Sequence, residues 1–166
     1  MMEKKKDAVR VKPAQKERAK SSAMKELKRL SCEATRTKYP KLPEAAVCPP
    51  NYKVNTANGL TRAIIGLIGL SGGFATRIST TGQIRGGRWV KGTTRKGTAD
   101  IHAIYKGLHL SIEVKIGKDK QSQYQKDVER EVNAAGGVYY VARDFQSFYD
   151  WIMDINEKSG GHPRPS

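Results

Sequence analysis

The stretch Gly97-Thr98-Ala99-Asp100-Ile101-His102-Ala103-Ile104-Tyr105-Lys106-Gly107-Leu108-His109-Leu110-Ser111-Ile112-Glu113-Val114-Lys115 decides how the rest of the chain is read. Leu108, Leu110, Ile112, Val114 and Ile116 alternate with His109, Ser111, Glu113 and Lys115. Successive side chains of a strand point to opposite faces, so the first set lines a buried face and Glu113 and Lys115 share the other. Lys106-Gly107 reads as a two-residue hairpin turn. Counting back from it sets Tyr105 against Leu108, Ala103 against Leu110 and Ile101 against Ile112. Every pair is apolar, and a slip of one residue would break all three. The same count places Asp100 opposite Glu113 on the polar face. Facing residues hold their Cβ atoms roughly 4.5–5.5 Å apart, where like charges destabilise the sheet. A solvated strand face carrying Glu and Lys is the ordinary alternative. The opposed Asp100 argues against it, because two unpaired carboxylates call for a positive partner.

A divalent cation meets that need. Mg²⁺ takes hard oxygen ligands and is commonly held by one or two carboxylates plus water and phosphate, with Mn²⁺ a possible substitute. Asp100, Glu113 and the backbone carbonyl of Val114 are the candidate metal ligands. Bound there, the ion would acidify a water and stabilise charge during in-line attack on a phosphodiester. Lys115, one pleat beyond Glu113, is placed to orient that water or to stabilise the developing charge.

Outward from the hairpin, Leu60, Ala63, Ile64, Leu67, Ile68 and Leu70 recur at helical spacing before Gly72-Gly73. An extended stretch over 74–79 follows, then a Gly- and Arg-rich loop over 80–97. Beyond the hairpin, a helix is expected from Ser122 to Ala135, with Tyr124, Val128, Val132 and Ala135 as its core stripe. Val138–Ala142 reads as a strand, and Asp144 can cap a last helix. The order α-β-β-β-α-β, closed by that last helix, predicts an α/β fold with a mixed sheet flanked by helices. Residues 1–53 read as a basic, flexible N-terminal arm ending in a Pro-rich linker, 54–157 as the folded domain and 158–166 as a flexible tail. Within the arm, residues 14–30 can form a helix with a narrow stripe of Ala23, Met24, Leu27 and Leu30; a solvated arm and a DNA-contacting arm both fit.

The chain of 166 residues carries a formal net charge of +15, a field that attracts polyanions, nucleic acid foremost. No run approaches the roughly 20 apolar residues of a membrane span, and Met1-Met2-Glu3-Lys4-Lys5-Lys6 is not a secretory signal. An intracellular, cytoplasmic protein is expected. Cys32 and Cys48 lack the spacing of a zinc site and read as two reduced thiols.

Four segments resemble the PD-(D/E)xK nuclease superfamily, and within it the VRR-NUC (virus-type replication-repair nuclease) family: Gly97-Thr98-Ala99-Asp100, Ile112-Glu113-Val114-Lys115, Ser122-Gln123-Tyr124-Gln125, and Gly136-Gly137-Val138-Tyr139. The resemblance covers roughly residues 56–155. It implies a restriction-endonuclease-like core and metal-dependent cutting of DNA phosphodiester bonds. Asp100 and Glu113 would hold Mg²⁺, Lys115 would serve hydrolysis and Gln125 would complete the site. It further implies structure-selective action on branched DNA or Holliday junctions, a homodimer, and a phage or mobile-element origin with action near the nucleoid of a host cell. A non-catalytic DNA-binding module on the same fold and a nuclease for linear ends are the alternatives. The family often has an acid in the first helix; here that helix has none, and Asn58 stands near the place.

Other residues have two readings each. Gln125 is either a site residue or, with Ser122, half of a capping box. His102 and His109 share the polar face; either can act as a base, and His102 reads better as a neighbour that tunes the pocket. Arg85, Arg88, Lys91, Arg95, Lys96, Lys118, Lys120 and Lys126 are candidate DNA phosphate contacts, which position a duplex without reading sequence. Trp89 either stacks on a base or packs its own loop down.

Overall fold

The computed structural model describes residues 13–47, 50–78, 83–90 and 94–158. The elements are α1 (Pro13–Lys38), a short 3-10 helix (Glu44–Ala46), α2 (Ala57–Leu70), β1 (Phe74–Arg77), β2 (Gln83–Arg85), β3 (Arg88–Val90), β4 (Ile101–Tyr105), β5 (Leu108–Val114), α3 (Gln123–Ala134), β6 (Val138–Ala142) and α4 (Phe145–Lys158). Strands β1, β4, β5 and β6 form one sheet in that spatial order. The first two pairings are antiparallel and β5–β6 is parallel, with α3 as the crossover between them. The architecture is a mixed α/β fold with a four-stranded mixed sheet flanked by helices.

The β4–β5 turn forms because Lys106 (φ 51°) and Gly107 (φ 78°) both enter the left-handed region, as a type I′ turn requires. The register matches the count from sequence: Tyr105 pairs with Leu108, Ala103 with Leu110 and Ile101 with Ile112. Those six side chains face Leu60, Ile64, Leu67 and Ile68 of α2 and Phe148 and Ile152 of α4 in a single core. Burying each such side chain contributes about 1.5–3 kcal/mol before entropy is counted. Helix α3 lies across the opposite face, over β6 and the C-terminal half of β5.

Several expectations need correction. Helix α1 is longer than the stretch 14–30, and Ala23 and Leu27 are fully buried in the main core, where α1 packs on α4 and α2. The boundary at residue 53 is therefore not a packing boundary: a narrow apolar stripe suffices when two helices offer it a groove. The loop over 80–97 contains a two-stranded hairpin, β2–β3, whose Gly86-Gly87 turn is its sequence signal. Helix α3 buries no side chain fully, and Tyr124 is 57% exposed rather than part of a core stripe. Residues 159–166, most of the expected tail, and Cys48 lie outside the described residues; Cys32 is a free thiol. Among the described residues, no helix is long and apolar enough to cross a membrane.

Candidate active site

Asp100 stands one residue before β4. Its backbone carbonyl accepts from the Ile78 amide at 2.8 Å, turning its main chain toward β1. The β4–β5 ladder thus stops at Ile101–Ile112, and the Val114 amide, next along that edge of β5, donates to Asp100 Oδ2 at 3.0 Å. In a strand the amide and carbonyl of one residue point to the same edge. The Val114 carbonyl therefore lies on the Asp100 side of β5, while the following amide, Lys115, pairs with Ala142 of β6.

Glu113 is 2% exposed. Its Oε1 accepts from Gln125 Nε2 and meets Lys115 Nζ at 3.0 Å. Its Oε2 is buried without a hydrogen-bond partner. Burial, and then the charge of Asp100, push the Glu113 carboxyl above the ordinary range, with Lys115 pulling partly the other way. Burial pulls the Lys115 ammonium down, but Glu113 and then Asp119, at 3.5 Å, outweigh it and hold Lys115 above its usual value. Ser111, Glu113 and Lys115 are all buried. The ordinary alternative of a solvated charged face does not describe this strand, because α3 and the loop after β5 cover it.

Gln125 fills both roles open to it. Its Oε1 accepts from the Ser122 amide at 2.8 Å and its own amide donates to Ser122 Oγ at 3.3 Å, closing the capping box, while its Nε2 reaches Glu113. The loop before Asp100 is fastened to the same helix. Arg95 makes a two-pronged ion pair with Glu131 at 2.6 and 2.7 Å, and Lys96 Nζ lies 5.2 Å from the centre of the Tyr124 ring. Gly97 (φ 85°) passes so close that an added Cβ would sit 2.3 Å from the Tyr124 carbonyl oxygen.

His102 faces Ser111 across the β4–β5 pair. Its ring meets His109 edge-on with centroids 5.3 Å apart, and His109 Nε2 is 3.1 Å from Ser111 Oγ. Burial, and then His109, hold His102 below its usual value, so it is neutral at neutral pH. Asn58 is exposed in the first turn of α2, and among the described residues nothing hydrogen-bonds it to the two acids. Arg88, Lys118, Lys120 and Lys126 are exposed. Arg95 and Lys96 are engaged with α3. Arg85 and Trp89 fall in β2 and β3, with their side chains outside the description, and Lys91 lies outside the described residues.

Three neighbours were not anticipated. Asp119 joins Lys115 from a turn that no periodicity marks. Glu131 takes Arg95 from 36 residues away. Tyr139 pairs with Ser111 in β6 and is buried on the Glu113 side of the sheet; burial and then the Glu113 charge raise its phenol above the usual range. Its alternation within β6 is a signal that could have placed it there.

The donor set suits a hard divalent cation: two carboxylates, one with a free buried oxygen, beside a carbonyl edge. Among the described residues, no group of three or more His, Cys, Asp or Glu side chains is gathered to hold a metal. The side-chain ligands on offer are therefore Asp100 and Glu113. Set against known proteins, the chain matches no family model and no curated protein.

Proposed function

We propose that this protein is a metal-dependent endonuclease that hydrolyses DNA phosphodiester bonds on a restriction-endonuclease-like core of the PD-(D/E)xK, VRR-NUC type. The observation that carries the proposal is that Asp100, held by the Val114 amide beside Glu113 on β5, lies close enough for its charge to act on the Glu113 carboxyl. Lys115 and Gln125 both touch Glu113 Oε1, and its second oxygen is buried and free. Mg²⁺, or Mn²⁺ in its place, would be held by Asp100, Glu113 and the Val114 carbonyl and would supply Lewis acidity at the scissile phosphate.

The chain's own groups do the rest. Gln125 fixes one Glu113 oxygen so that the other keeps its direction. The Val114 amide holds Asp100 Oδ2 in the same way. Lys115 is held charged by Glu113 and Asp119, so it can orient an attacking water or hold a nonbridging phosphate oxygen, but it cannot take up the water's proton. The net charge of +15 draws in the phosphate backbone. Exposed Arg88, Lys118, Lys120 and Lys126 are the contacts proposed to position it. Branched DNA is the proposed substrate and a homodimer the proposed assembly, since paired incisions need two sites.

A panel of nicked, forked, four-way and linear DNA, with Mg²⁺, Mn²⁺ or EDTA, tests the reading. Cleavage should require the metal, favour branched forms and fall by about a thousandfold or more in Asp100→Ala and Glu113→Gln, with binding largely kept. Cutting retained by both variants would defeat it. The absence of an acid in α2 favours a second reading, a DNA-binding module that has lost catalysis. Binding without metal-stimulated cutting on every substrate would select that reading.

A further inference from the structure

The face of the sheet that carries Glu113 is only half covered. The strand registers arrange it in cross-strand rows: His102–Ser111 with Thr76 on β1, then Phe74–Ile104–His109, with Asp100 and Glu113 just beyond the last pair of the β4–β5 ladder. Helix α3 covers the β5–β6 side, whereas the outermost row is open. Phe74 is 63% exposed and Ile104 56%, and they face each other directly on neighbouring strands. A paired, solvent-facing Phe and Ile forgo burial that elsewhere in this molecule builds the core, which marks the patch as a contact surface.

We infer that this row is a stacking platform for the unpaired bases of a nucleic-acid strand whose backbone crosses the Asp100–Glu113 site. The inference rests on the nuclease reading and adds the substrate feature that reading leaves open. Three observations choose this occupant. The platform is continuous with the acidic site on one face, and four residues of strand, about 13 Å, separate His109 from Glu113. Its surfaces are an aromatic ring and imidazole rings, with an aliphatic side chain between, which take any base by its flat face. Finally, a chain of net charge +15 attracts a polyanion. A duplex keeps its bases stacked on each other and gains nothing from this row; a strand with unpaired bases does.

The test is fluorescence anisotropy with a labelled thymidine oligomer of about 20 nucleotides and a duplex of equal length, in EDTA so that nothing is cut. Phe74→Ala should weaken binding of the single strand by about fivefold or more, while duplex affinity stays within about twofold. Ile104→Glu, which sets a carboxylate in the strand's path, should act in the same direction. Both positions are exposed, and circular dichroism with a melting curve verifies folding. Equal losses on single strand and duplex, or no loss, would overturn the platform. So would a fall in sedimentation mass in either variant, which assigns the face to a second copy of the chain. Because the readout is metal-free binding, selective loss in Phe74→Ala with no cleavage by the wild-type protein would sink the nuclease reading and leave the platform standing.

Discussion

Glu113 is the residue on which the chemistry and the stability of the site meet. Its carboxyl, buried and beside Asp100, holds its proton to a higher pH in the folded chain than in the unfolded one, whose reference is 4.5. Over the interval between those two values the folded state binds more protons than the unfolded state, so stability falls as pH rises through it. Glu113→Gln removes the titration. Urea unfolding of both proteins from about pH 4 to about pH 7 should show the wild type losing stability relative to the variant across that range; a constant difference would mean that Glu113 titrates normally. The Lys115 contribution has the same sign but lies far higher in pH. Its raised value gives stability present below 10.5 and lost only as pH climbs through the folded value, so it does not blur the measurement. The alternation around Glu113 was legible in the sequence because it is local. Its burial was not, because the covering helix starts nine residues after the strand ends and nothing in the alternation says which face it will lie on.

At the scale of elements, the hairpin was readable down to its pairs because a positive-φ turn and apolar alternation specify the same register. The loop before Asp100 was not readable: its anchors, Glu131 and Tyr124, lie on a helix far along the chain. Arg95 and Lys96 read as DNA contacts, and in the folded molecule these exposed side chains also reach α3. The ion pair of Arg95 is exposed and worth little by itself. Gly97 is the sterically demanding point. Alanine there would need a left-handed backbone and would strike the Tyr124 carbonyl. Gly97→Ala should cost about 1–3 kcal/mol from backbone strain alone. By moving the start of α3, it should also slow cleavage by up to about a hundredfold. Thermal melting with single-turnover kinetics measures both, and a variant matching the wild type in each would show that the loop yields freely.

For the molecule as a whole, composition marks the N-terminal third as the more densely basic part, with 15 of the 31 Lys and Arg in residues 1–53, but misjudges what that means for packing. Charge patterning describes the outer surface of α1, whereas the few apolar positions on its inner side decide where it docks. Leu27 is fully buried between α1, α2 and α4. Leu27→Ala should therefore destabilise the protein by about 2–5 kcal/mol in urea unfolding, in one cooperative transition. A change below about half a kcal/mol, the level of a surface substitution, would mean that the arm is a separate appendage.

The double engagement of Gln125 has a consequence for dynamics. One side chain both closes the first turn of α3 and fixes an oxygen of Glu113, so fraying of the helix start and release of that carboxylate are one event. An ion that locks Glu113 should then protect the first-turn amides of α3 from hydrogen exchange. Isotope uptake at Gln125 would report, without any substrate, whether Ca²⁺ or Mg²⁺ has entered.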